Sequence, residues 1–152
     1  MSPPNEPSTA AGLRACAKGD YTYEAAVELL IRAWGGRLAG DGNEWIQSEG
    51  PSGYSIHARE AARAAEGGVL SGGEQRLMAI VAALADGGMY PVNLSDAISG
   101  LDREAMALVL AALAHANGSH EHPLIIDGQW FRGEDERIAR VGSLYPWPED
   151  DA

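Results

Sequence analysis

The sequence predicts an α+β domain, mainly helical and small, carrying short antiparallel β-hairpins. Three observations carry that prediction. Apolar residues recur at three- and four-residue spacing in several stretches that open on a capping residue and close on glycine. Elsewhere, short apolar segments are separated by Gly/Asp/Asn/Pro/Ser clusters, and Asp127-Gly128 sits between two apolar runs. The hydrophobic content of 45% over 152 residues is that of a globular chain long enough for one core.

Residues 1–19 open Pro-, Ser- and Ala-rich and are expected to be disordered or loosely ordered. A single globular domain is expected over 20–144, followed by an acidic tail over 145–152. Within the domain, TYEAAVELLIRAWGG sets Tyr23, Val27, Leu30, Ile31 and Trp34 on one helical face, with Asp20 or Thr22 as cap and Gly35-Gly36 as stop. Short apolar segments around Leu38, Trp45-Ile46 and Tyr54–Ile56 then read as a small antiparallel meander. An Ala-rich helix over about 58–66 ends at Gly67-Gly68. In VLSGGEQRLMAIVAAL, Ser71 and Glu74 have the spacing of a capping box, and Leu77, Ile80, Val81 and Leu84 form the buried face. A short helix from Leu94 to Ser99, a turn at Gly100 and a long helix over about 102–116 follow. Asp102 caps the long helix, Met106, Val109, Leu110 and Leu113 are its expected core stripe, and Asn117-Gly118 ends it. LIIDGQWF closes the domain as a hairpin, and Trp34, Trp45 and Trp130 are expected in the core.

The formal charge is −11, from 22 acidic against 11 basic residues, so the long-range field repels nucleic acid and anionic membranes. No apolar run approaches the ~18 residues that span a bilayer, and the first residues lack the pattern of a signal peptide. A cytoplasmic location is the expectation. Cys16 is the only cysteine, which excludes an intrachain disulfide and a cysteine-based zinc knuckle. Its Ala-Cys-Ala setting suggests a small buried residue or helix filler. The abundance of Ala and Gly is typical of high-GC genomes such as those of actinobacteria and their phages.

Leu70-Ser-Gly-Gly-Glu-Gln75 resembles the signature loop of ABC-type ATPases, and LSDAISGLD resembles the end of their Walker B and D-loop segment. That resemblance implies nucleotide contacts from Ser71 and the glycine amides. The sequence departs from it where the chemistry resides. No Gly-x-x-x-x-Gly-Lys-Ser/Thr occurs, and Lys18 is the only lysine, so nothing supplies the phosphate cradle. Aligned on Ser99–Asp102, the Walker B aspartate becomes Ser95 and the catalytic glutamate Asp96, and Pro91 interrupts the preceding strand. A helix cap accounts for Ser71 and Glu74, and neither nucleotide nor any other cofactor is expected.

Residues 74–131, as helix, short helix, tight turn, longer helix and hairpin, resemble a winged helix-turn-helix domain. The resemblance implies a DNA-binding transcription regulator with its recognition helix over 102–116 and Asp127-Gly128 at the wing tip. Outside its apolar stripe, however, that helix offers Arg103, Glu104, Ala107, Ala111 and Ala114, too few donors to read base edges. A second, alanine-lined face meets another helix more often than water. Ala107, Ala111 and Ala114 are therefore expected to bind a protein partner or a second copy. Trp147, between prolines, is expected either to dock back on the domain or to serve a partner as a linear motif.

HANGSHEH gathers His115, His120 and His122 beside Glu121. The macrodipole at a helix C-terminus favours such imidazoles without any ligand. As a metal set, the three would suit zinc with an open position, and His57 could add a fourth ligand. Acid–base chemistry with Glu121 or Asp127 is the other catalytic option. The leading expectation is a small acidic, non-enzymatic protein acting by protein–protein interaction in an accessory or regulatory role. The alternatives are the winged-helix regulator and a metal-dependent enzyme built on His115, His120 and His122. An acidic surface arrayed on one face could also mimic nucleic acid.

Overall fold

A computed structural model describes residues 8–149. Among them are six α-helices and two separate two-stranded antiparallel sheets, a small α+β architecture. Its centre is α2 (Tyr21–Arg32), capped by the Asp20 carboxylate, which accepts from the Tyr23 amide at 3.2 Å. Ala25, Ala26, Val27, Leu29 and Leu30 are all fully buried along this helix. The Gly35-Gly36 stop takes the form of three consecutive left-handed residues, Trp34, Gly35 and Gly36, at φ of 45°, 71° and 82°. Glycine adopts such angles without the Cβ clash that other residues meet.

α4 (Gly72–Ala85) and α6 (Arg103–Asn117) both pack on α2, while α3 (Ala58–Glu66) packs on α4. α5 (Leu94–Ser99) rests on α4. The element order behind the winged-helix resemblance is present, with the chief partner of α6 being α2, far upstream of that segment.

The N-terminal segment departs from expectation over the residues described. Thr9–Ala17 is a helix, α1, capped by Ser8, with Leu13 and Ala17 buried; residues 1–7 lie outside the described residues. One large apolar residue gives little sequence signal, and what seats α1 is close backbone approach. A Cβ on Gly12 would lie 2.8 Å from Tyr54 Cδ2, and one on Gly53 would lie 2.8 Å from the Gly12 carbonyl. Cys16 lies on the outer side of this helix and is exposed, not buried.

The expected meander reduces to one hairpin, β1 (Ile46–Ser48) with β2 (Tyr54–Ile56). Leu38 lies in a 3-10 segment, where its carbonyl accepts from buried Trp45 Nε1 at 2.7 Å.

α6 is capped by Asp102 and stopped by left-handed Gly118, as its sequence predicts, but it is rotated. Val109 is buried as expected, together with Ala105, Leu108, Ala111, Ala112 and Ala114, while Leu110 and Leu113 are 38% and 43% exposed. Nearly every position of this helix is apolar, so periodicity cannot choose a face, and the small residues permit closer helix approach than leucines.

β3 (Ile125–Ile126) and β4 (Gln129–Trp130) form the second hairpin, turning on Asp127 and Gly128 at φ of 50° and 77°. Two consecutive positive φ values are what a two-residue type I′ turn needs. The segment from Ile138 to Val141 returns across its base, with Leu124 donating to Ala139 O and Val141 to His122 O. Trp130 is 61% exposed on this hairpin, which corrects its assignment to the core.

Candidate functional site

Three elements converge on one cluster. Glu24 stands in the first turn of α2, where the helix N-terminus favours a carboxylate. His115 stands in the last turn of α6, where the opposite end of the dipole favours a cation. Gly118 then reverses the chain into a 3-10 turn, Ser119–Glu121, that folds His120 back over His115. The two imidazoles stack with centroids 4.2 Å apart and planes 14° from parallel. Tyr21 meets His120 edge-on at 5.0 Å, and its ring also covers Gly118.

His115 Nε2 lies 2.9 Å from Glu24 Oε1, the distance of an imidazole N–H donated to a carboxylate. The other oxygen, Oε2, accepts from the Gly19 amide at 3.2 Å. Both side chains are largely covered, His115 to 19% exposure and Glu24 to 24%. His120 Nδ1 is buried and has no hydrogen-bond partner among the described residues. One ligand atom from each of Glu24, His115 and His120 lies within 4.8 Å of the others.

The expected histidine trio is therefore only partly assembled. His115 and His120 come together; His122 is exposed on the strand side, and His57 is an exposed residue at the start of α3. Glu24, from 91 residues upstream of His115, takes the third place. Neither carboxylate considered for acid–base work belongs to the cluster: Glu121 pairs with Arg140 at 3.5 Å, and Asp127 is exposed at the hairpin tip.

A cleft of about 230 Å³ adjoins the cluster, lined by Arg14, Ala17, Glu24, Val27, Glu28 and His115. On its wall Glu28 is held between Arg14 at 2.7 Å and Arg32 at 2.7 Å. Burial pushes the Glu28 carboxyl up, but hydrogen bonds from the two guanidinium groups and their charges outweigh it and hold the group below its ordinary value. Trp147 docks back on the domain, half-buried, with the Arg32 guanidinium 5.0 Å from its ring and His115 at 6.1 Å. Arg32 also donates to the Pro148 carbonyl at 3.3 Å.

Compared with known proteins, the chain matches no family model, no curated protein and no solved structure.

The remaining candidates resolve differently. The segment resembling an ABC signature is a helix cap in full: Ser71 Oγ accepts from the Glu74 amide at 3.3 Å, and Glu74 Oε1 accepts from the Ser71 amide at 3.0 Å. The Ser71 amide and hydroxyl and the nearby Arg37 hold the Glu74 carboxyl below its ordinary value, against the opposing effect of burial. A cleft of about 530 Å³ does bring Gly72, Gln75 and Arg76 to Asp96 and Ser99, where Arg76 Nε donates to the Asp96 carbonyl at 3.2 Å.

Of the proposed partner face, Ala111 and Ala114 are 1% and 8% exposed, and Ala107 is half-buried. Burial within the domain leaves Ala111 and Ala114 no surface to offer, because the rotation of α6 turns its leucines outward. The second hairpin carries an open apolar surface that its sequence does not announce. Ile125 and its cross-strand partner Trp130 are 53% and 61% exposed, while Ile126 and Phe131 are 50% and 47% exposed. Ile125 and Ile126 are successive strand residues, so the hairpin presents apolar side chains on both faces.

Proposed function

We propose that this protein acts by binding a basic protein partner through its second hairpin. The observation that carries the reading is the half or greater exposure of Ile125, Ile126 and Trp130 on a two-residue-per-strand hairpin. Short hairpins gain little stability alone, and clustered large apolar groups in water mark interaction sites more often than solitary ones do. The sign of the partner follows from charge. Asp127 at the tip and Glu134 and Glu136 in the next loop have no cationic side chain within ion-pair distance among the described residues, and the whole chain carries −11. A second copy would bring like charge against like, whereas a basic surface gains both apolar burial and attraction. The free thiol of Cys16 suits the reducing cytoplasm as the place of action.

Affinity capture with the intact chain, compared with an Ile125→Ser/Trp130→Ser variant, tests the reading. Each side chain is more than half exposed and sits on a peripheral hairpin, so the variant should stay folded, with a melting temperature lowered by no more than a few degrees. A basic protein, purified and rebound in a defined ratio, should lose its affinity for the variant and bind more weakly as salt rises. Equal capture by the two forms, an acidic partner, or concentration-dependent dimerisation abolished by the substitutions would overturn it. So would low-salt retention of duplex DNA.

A further inference from the structure

We infer that Glu24, His115 and His120 form a binding site for one divalent transition-metal ion of the zinc class. Two imidazole nitrogens and one carboxylate oxygen are a donor set that zinc accepts, with a fourth position left for water or an anion. Their ligand atoms already lie within 4.8 Å of one another. Bonds of 2.0–2.1 Å at tetrahedral angles require donors roughly 3.3 Å apart, so the His115–Glu24 pair, at 2.9 Å, opens by a few tenths of an ångström while His120 is drawn in from within 4.8 Å. The stacked rings identify which movement. Rings stacked 4.2 Å apart with planes only 14° from parallel share no in-plane point within bonding distance, so one imidazole must turn about its Cβ–Cγ bond for both lone pairs to meet one ion.

His120 is the ring with reason to turn. Its Nδ1 is buried with no partner among the described residues, and a buried unsatisfied nitrogen is costly in a purely structural role. His115 already faces Glu24 at 2.9 Å, and the ion would take the place of the proton that the two share. Placement of the site also suits a cation: it lies at the C-terminus of α6, where the helix dipole is negative, beside a carboxylate. The adjoining cleft of about 230 Å³, bounded by Glu24 and His115, gives water access to the open position; its Arg14 is already paired with Glu28 at 2.7 Å. This site is separate from the hairpin and its existence does not depend on the partner reading.

The test is titration of the full chain with zinc, and with cobalt as a visible-absorbing substitute. The expected result is one equivalent bound, cobalt absorbance of a four-coordinate nitrogen–oxygen site, and zinc-dependent NMR shifts that, among the histidine rings, fall on His115 and His120 and not on His57 or His122. Glu24→Gln, which keeps the side-chain shape, and His120→Ala should each weaken binding by more than about 100-fold, beyond the loss typical of outer-shell partners. His122→Ala should leave affinity unchanged. Acidification should release the ion, because the imidazoles must be neutral to bind. The inference is overturned if zinc perturbs His57 or His122 instead, if neither His115 nor His120 shifts at one equivalent, or if Glu24→Gln, shown folded by its melt, binds as the parent does.

Discussion

Replacing Ser71 by alanine isolates the first turn of α4. The substitution removes the Oγ that accepts from the Glu74 amide at 3.3 Å but keeps the Ser71 amide that donates to Glu74 Oε1 at 3.0 Å. Loss of a serine N-cap costs about 0.5–2 kcal/mol. Ser71 is exposed and half of the box survives, so the expected loss falls near the lower end, ~0.5–1 kcal/mol. Adding Glu74→Ala removes the return bond and the pair with Arg37 at 3.0 Å. The arginine of that pair is 59% exposed, and solvent screening keeps its share to at most ~1 kcal/mol. Urea unfolding of both single variants and the double variant measures the coupling, since residues of one network do not add independently. Glu74 is held below its ordinary value, so its stabilisation is present above the unfolded carboxyl value and disappears as pH falls through the folded one. The cost of Glu74→Ala should therefore shrink in acid. A Ser71→Ala protein as stable as the parent, or a Glu74→Ala cost that grows on acidification, would refute the capping account.

Three further outcomes are expected. Ala111→Arg, at a position 1% exposed, places a guanidinium in a packed interior and should cost ~3 kcal/mol or more; an unchanged melting temperature would show the face is open after all. Gly118→Ala should cost about 1–2 kcal/mol from its left-handed backbone at φ 80°, with Tyr21 ring carbons 3.0 Å from the new methyl, and should also disturb the His120 resonances. Glu28→Gln should be less stable than the parent at neutral pH, with the gap closing as acid carries the parent through the lowered Glu28 value; thermal melts across pH 2–7, a range spanning ordinary carboxyl titration, would show the opposite trend if the two arginines did not stabilise the carboxylate.

Local signals were the legible ones. The capping residues Asp20, Ser71 and Asp102, the Gly118 stop and the Asp127-Gly128 turn each act within a few residues of themselves, and each stands where the sequence predicts. The rotation of α6 was not legible, since a helix rich in both Ala and Leu has two apolar faces and only the shape of α2 chooses between them. Nor was α1, whose seat depends on the Gly12–Gly53 approach between segments about forty residues apart. The candidate site divides in the same way. His115 and His120 share a helix end and a turn, so their meeting follows from local geometry; Glu24 reaches them only through tertiary packing, and nothing in its own surroundings announces it.

The central position of α2 sets a timetable for synthesis. Its buried face includes Val27, Leu29 and Leu30, and its covering partners α4 and α6 end at Ala85 and Asn117. At ~5–20 residues per second, α6 is complete roughly 4–17 s after α2 has been made. During that interval these leucines have only upstream segments and the growing chain to cover them. Slow codons or a bound chaperone between positions 33 and 102 would therefore change the yield of native protein without altering a single contact in the finished fold.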